Sequence, residues 1–345
     1  MMRFKLLGKS GLRVSELALG TMTFGTDWGW GADKATSQAI FNAYVEAGGN
    51  FIDTANNYTD GTSETFVGEF VQNERDKFVI ATKYTLQLAN GDRHDPNQGG
   101  NSRKSMQRNV EDSLRRLNTD YIDLLYLHMW DFLTPVEEVL RAADDLVRQG
   151  KVLYFAFSDT PAWVVSQAVA IAEMRGWTRP IGFQFPYSVL GRAAERDVMP
   201  MARFNDLAMM PWGLLSGGAL TGKYNDPGDD SPKRAEGASE QQLKMAETLM
   251  AVADEIERTP SQVAINWVRQ QPGVVIPILG ARTEAQIKDN LGVLDFTLSD
   301  AHMDRLSAAT DFKVDFPLSF LTNDHVRGLI FGETFNRIDN HRETV

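Results

Sequence analysis

Cysteine is absent from all 345 residues. Disulfides, thiolate metal sites and thiol nucleophiles go with it, and a chain this long needs no such staple to bury a core. Long apolar runs are missing too. No stretch approaches the roughly 20 residues that cross a bilayer, and the opening MMRFKLLGKSGLRVSE lacks the apolar centre of a signal peptide. Positive charge is in short supply: 35 Lys and Arg against 46 Asp and Glu leave a formal net charge of -11. Nucleic acid is therefore not an expected partner, because phosphate binding needs a concentrated positive surface. The histidines at 94, 128, 302, 325 and 341 show no metal-ligand spacing, and no metal is expected. Nothing marks a linker or a repeat. The expectation is a soluble, cytoplasmic, single-domain protein over residues 1–345.

What is present is alternation. Apolar runs at 17–20 (LALG), 50–53 (NFID), 78–82 (FVIAT), 122–127 (IDLLYL), 152–157 (VLYFAF), 181–185 (IGFQF), 207–212 (LAMMPW) and 274–278 (VVIPI) read as buried strands. Between them, 33–47, 103–117, 135–148 and 162–175 keep apolar residues at helical spacing. Near-continuous apolar strands separated by amphipathic helices predict a parallel sheet covered by helices. Eight such units favour closure into a (β/α)8 TIM barrel. Residues 3–14 read as an N-terminal β-hairpin, and 299–345 as a C-terminal extension: a helix at 299–309, then a tail carrying Phe312, Phe316, Phe320, Phe331 and Phe335. The long polar loops 86–102 and 222–238 follow predicted strands, which places both on the catalytic face.

Asp53, Lys83 and His128 close three successive predicted strands, and Tyr58 lies five residues past Asp53. Taken singly each has a structural explanation: a turn residue, a packing ring, a solvated strand end, a satisfied core histidine. Their joint placement where barrel strands converge suits proton transfer. A phenol with a pKa near 10 is a poor acid at neutral pH. A neighbouring ammonium favours its phenolate, a carboxylate keeps that ammonium charged, and a histidine can donate to a carbonyl oxygen.

The segments FIDTANNY, ATKY, DSLRRLNTDYIDLLYLHMWD, GKVLYFAFSDT, PWGLLSGGALTGKY and PILGARTEAQIKDNL resemble, in order over roughly residues 4–295, the signature segments of the aldo-keto reductases. SDTPAWVVSQA and AERDVMPMAR most resemble the aryl-alcohol dehydrogenase-like group of that family. The resemblance implies an NADP(H)-dependent enzyme that reduces aldehydes or ketones to alcohols, or the reverse, with Tyr58 as general acid/base tuned by Lys83 and Asp53, and His128 positioning the carbonyl. It also implies a cofactor site. Ser158, Asp159 and Gln184 would bind the nicotinamide carboxamide, Trp212 would stack on the ring, and the 213–218 backbone, with Gly213, Leu214, Ser216 and Gly218, would approach the pyrophosphate. Gln286 and Asn290 would lie beside the adenosine.

Three departures from the family pattern are visible. Asp159 stands where asparagine is usual, and an ionised carboxylate cannot donate to a carboxamide oxygen. Gly213 and Leu214 replace a common Ser-Pro. Gly280 and Gln286 replace a lysine and an arginine, which leaves Arg282 as the cation for a 2′-phosphate. Arg282 precedes a helix that Thr283 and Gln286 open as a capping box, with the helix's positive end toward an anion.

Trp28, Trp30, Tyr84 and Trp130 lie past strands one, three and four and are read as aromatic walls for a flat or bulky apolar carbonyl substrate. Two look-alikes fall away. GGALTGKY (217–224) matches G-x4-G-K, but Tyr224 stands where a phosphate loop needs Ser or Thr. No G-x-G-x-x-G follows the first strand, which disfavours a Rossmann fold. Two other functional classes stay open at this stage. One is a redox-sensing regulatory subunit resembling the potassium-channel β-subunits, marked by cofactor binding without turnover. The other is a glycosidase using Asp53 and Asp131 as its carboxylate pair.

Overall fold

A computed structural model describes residues 1–226 and 237–339. The central part of the 222–238 loop and the end of the C-terminal extension, with His341, lie outside the described residues.

Strands β1 (Phe4–Leu6) and β2 (Arg13–Ser15) form an antiparallel hairpin, as expected for 3–14. The eight strands of the parallel sheet are β3 (Ala18–Gly20), β4 (Phe51–Asp53), β5 (Val79–Tyr84), β6 (Ile122–Leu127), β7 (Val152–Ser158), β8 (Pro180–Pro186), β9 (Ala208–Trp212) and β10 (Ile278–Leu279). Helices α1 (Lys34–Glu46), α2 (Thr62–Val71), α3 (Arg103–Leu117), α4 (Val136–Arg148), α5 (Ala162–Arg175) and α6 (Val198–Phe204) follow β3 to β8 in turn. Then α7 (Glu240–Glu255) and α8 (Pro260–Arg269) follow β9, and α9 (Glu284–Leu291) follows β10. Their starts are local. Asp33, Ser102, Ser239, Thr259 and Thr283 each accept a first-turn N–H through the side chain, satisfying a donor the helix cannot.

The eighth strand is not the single run expected at 274–278. Pro277 has no N–H, so the ladder changes sides around it. Residues 274–276 pair with Met209, through Met209 N–H to Val274 O and Ile276 N–H to Met209 O, both at 2.8 Å. Only then does β10 join β3, with Ala18 N–H donating to Pro277 O at 2.9 Å. These bonds close the TIM barrel.

Strand alternation sorts side chains into two cores. Phe51, Val79, Ala81, Leu124, Tyr126, Ala156, Ala208 and Met210 fill the barrel interior, while Ile52, Ile80, Leu125 and Phe155 pack outward under the helices. Leu7 and Val14 of the hairpin join the interior group, so the hairpin plugs the end opposite the strand C-termini. Gly8 permits that close approach: a Cβ there would lie 2.1 Å from Ile181 O.

In the C-terminal extension, α10 (Asp300–Ala308) matches the expected helix. Phe312 is anchored between Arg192 and Arg196, whose guanidinium carbons lie 4.8 and 5.2 Å from its ring. Phe316, Phe320, Phe331 and Phe335 are exposed and none reaches the cavity described next. They do not close it.

Candidate active site

The inward register that packs the interior also aims the polar residues. Asp53, Lys83, His128, Ser158 and Trp212 each follow an interior residue by two: Phe51, Ala81, Tyr126, Ala156 and Met210. All therefore converge at one end of the barrel, beneath a cavity of about 870 Å³.

Lys83 is fully buried and donates to Asp53 Oδ1 at 2.6 Å, to Thr54 O at 2.8 Å and to Tyr58 OH at 3.3 Å. Asp53 also accepts from Gln184 Nε2 at 2.8 Å. Burial works against the Lys83 ammonium, yet Asp53 and Tyr58 beside it lift its pKa overall, so it stays charged. Burial pushes the Asp53 carboxyl up, and Lys83 and Gln184 oppose it.

Tyr58 is set by the turn between β4 and α2, not by a strand. Thr59, Asp60 and Gly61 all take left-handed φ values of 45°, 53° and 96°. Two non-glycine residues in that region carry strain, and bonds hold them there. Thr59 Oγ1 donates to Phe24 O at 2.6 Å, and Asp60 Oδ1 accepts from Ala89 N–H at 2.8 Å. The expectation that Lys83 lowers the Tyr58 pKa holds only as a contribution. Burial raises it by more than Lys83 pulls it down, so the phenol sits above its ordinary value and is protonated at neutral pH.

His128 is buried with its ring 6.0 Å from that of Tyr58. Burial and the Lys83 charge push its pKa well down, so it is a neutral imidazole. Its Nδ1 has no hydrogen-bond partner among the described residues.

Asp159 and Gln184 line the cavity beside Trp212, which is 40% exposed. Trp212 Nε1 donates to Asp159 Oδ1 at 3.3 Å. Ser158 Oγ is buried, just behind the cavity wall, with no hydrogen-bond partner among the described residues, which leaves it able to bond an added group. Gln184 has a task the sequence did not suggest: its amide nitrogen already serves Asp53, which leaves its oxygen for a ligand.

Gly213, Leu214, Ser216 and Gly218 line the next stretch, but the Ser216 and Gly218 amides close the turn onto Gly213 O and Leu215 O, at 2.9 and 2.8 Å. Those two N–H groups are spent internally, so of the 213–218 backbone they are not the ones on offer to a phosphate. Lys223, in the segment set aside as a false phosphate loop, lines the cavity here. Arg282, Gln286 and Asn290 line the far end. The capping box there is shifted. Thr283 Oγ1 accepts from Gln286 N–H at 3.2 Å, but the Gln286 side chain returns to the Arg282 N–H, at 2.8 Å, and not to Thr283. That bond fixes the Arg282 backbone at the cavity edge.

Of the four proposed aromatic walls, two are in place. Trp28 and Trp30 line the cavity, and the Trp28 ring meets Tyr58 edge-on at 6.5 Å. Tyr84 and Trp130 do not line it. Tyr84 is still in β5, one residue past Lys83, so alternation turns it outward into the core under the helices; Trp130 packs against the same core. Asp131 is also away from the site. It holds the Asn101, Leu133 and Thr134 amides at 2.8–2.9 Å and does not line the cavity, so it does not pair with Asp53 as a glycosidase would need.

The sequence model of the Aldo/keto reductase family matches residues 16–311. The chain is 39% identical to an aryl-alcohol dehydrogenase [NADP(+)] of Phanerodontia chrysosporium, over 89% of this chain and 85% of that protein. It is 38% identical to a norsolorinic acid reductase of Aspergillus flavus, over 92% and 83%. It is also 38% identical to a putative aryl-alcohol dehydrogenase of Saccharomyces cerevisiae, over 93% and 90%.

Proposed function

This chain belongs to the aldo/keto reductase family, within its aryl-alcohol dehydrogenase-like group, and from that membership we propose that it is an NADP(H)-dependent oxidoreductase interconverting aldehydes or ketones and alcohols. The observation that carries the reading is the buried Asp53–Lys83–Tyr58 chain, at 2.6 and 3.3 Å, opening into one long cavity that ends at Arg282.

A reduced nicotinamide, when bound, supplies the hydride that goes to the carbonyl carbon, while Tyr58 delivers the proton to the carbonyl oxygen. The residues fit such a cofactor: the partnerless Ser158 Oγ and the Gln184 oxygen suit a carboxamide, and the half-open Trp212 face suits a ring. His128, held neutral, donates a hydrogen bond to the carbonyl oxygen and so stabilises charge developing on it. Lys83, fixed by Asp53, stabilises the phenolate that Tyr58 becomes. Trp28 and Trp30 favour flat, apolar carbonyl compounds. The test is a panel of aldehydes, ketones and aryl alcohols followed by absorbance of the reduced cofactor. Cofactor-dependent turnover is expected, and no turnover on any member with either cofactor sinks the proposal.

The raised Tyr58 pKa gives a pH dependence with a definite sign. Proton donation needs the phenol, which is present through neutrality, so kcat/KM for carbonyl reduction holds there and falls only in the alkaline range. Alcohol oxidation needs the phenolate and rises over that same range. Profiles measured in both directions check this; oxidation that stays level into alkaline pH contradicts it.

Arg282→Ala addresses the cofactor's phosphate. Losing a charged hydrogen bond should weaken NADPH by roughly 1.5–3 kcal/mol and leave NADH almost unchanged. Titration of both cofactors against parent and variant decides it, and equal losses, or none, remove Arg282 from the role.

A further inference from the structure

At the proton-transfer end of the cavity, the positive charge of Lys83 is matched by Asp53 at 2.6 Å. Asp159 forms no ion pair among the described residues: its carboxylate accepts from the neutral indole of Trp212, at 3.3 Å, and it lines the cavity. Its φ of 39° is left-handed, which turns this residue away from the strand it follows. The Asp159 N–H donates to Gln184 O and its own O accepts from Trp130 N–H, at 3.1 and 3.3 Å, so the backbone is held there. A ring that passes a hydride to a carbonyl held by Tyr58 and His128 would sit at this end of the cavity, whose wall Tyr58, His128, Asp159 and Trp212 share. That ring is neutral when reduced and cationic once the hydride, with its electron pair, has left.

Resting on the proposed nicotinamide chemistry, we propose that the Asp159 carboxylate makes this end of the cavity discriminate by redox state, holding the cationic oxidised ring more tightly than the neutral reduced one. By linkage, the bound reduced cofactor becomes the stronger hydride donor, and the oxidised cofactor leaves more slowly. The ionisable groups that act on Asp159 are Lys83 on β5 and Tyr58 on the turn after β4, and His128, just past β6, lines the same cavity. Burial, opposed by Trp212 and Lys83, pushes the Asp159 carboxyl up to about 6. The discrimination therefore belongs to pH above that value and fades below it.

Asp159→Asn removes the charge and keeps the shape, and asparagine tolerates a left-handed φ. Kd values for NADP+ and NADPH, read from quenching of protein tryptophan fluorescence, are compared for parent and variant. At pH about 8, the ratio Kd(NADP+)/Kd(NADPH) is expected to rise about tenfold in the variant, the size set by one unit charge a few ångströms away in a half-open site. At pH about 5 the change is expected to shrink to less than about threefold, because the parent carboxyl is then largely protonated. An unchanged ratio at the higher pH, or the same change at both, overturns the role of Asp159 and leaves the proposed function intact. A parent that binds neither cofactor overturns both.

Discussion

Tyr58→Phe is expected to lower kcat at least about 100-fold while cofactor affinity stays nearly intact, because positioned proton transfer contributes 10²–10⁴. The ring packing survives the change: phenylalanine keeps the edge-on contact with Trp28 at 6.5 Å and with His128 at 6.0 Å. Lys83 loses one acceptor but keeps Asp53 and Thr54 O. The loss should fall on kcat and on kcat/KM together, the pattern for an interaction made in the transition state. A variant retaining more than about a third of the activity shows that the proton comes from elsewhere.

Lys83→Met should abolish turnover and also destabilise the fold. Tyr58 loses the charge that stabilises its phenolate. Asp53, 2% exposed, is left with Gln184 and no cation, and breaking a buried pair from one side costs about 3–5 kcal/mol. The two effects separate in the double variant Lys83→Met with Asp53→Asn. Removing the orphaned carboxylate should restore much of the lost Tm, yet activity stays absent because the ammonium is still missing. A Lys83→Met enzyme whose pH–rate profile matches the parent contradicts the assignment.

Strand positions were legible wherever apolar runs were long, and with them the convergence of Asp53, Lys83 and His128. Alternation carried further than it was used. The two-residue step that puts Lys83 inside puts Tyr84 outside, which already argues against Tyr84 as a pocket wall. Pro277 likewise marks the break in the last strand. Other features had no sequence signal. Thr59 and Asp60 are held left-handed by contacts from residues 24 and 89, so the placement of Tyr58 depends on loops distant in sequence. The balance of burial against Lys83 at Tyr58 depends on how much water the closed barrel excludes, which spacing cannot express. The bond from Gln184 to Asp53 spans 131 residues of chain.

That bond also joins the two halves of the barrel. The proposed proton-transfer residues Asp53, Tyr58, Lys83 and His128 come from the first half, while Ser158, Asp159, Gln184, Trp212 and Arg282 come from the second. The loop that carries Trp28 and Trp30, and the 86–102 segment, supply neither set, yet each is hydrogen-bonded to the Tyr58 turn, through Phe24 O and Ala89 N–H. What the cavity accepts can therefore be rewritten in those loops only around two fixed anchors.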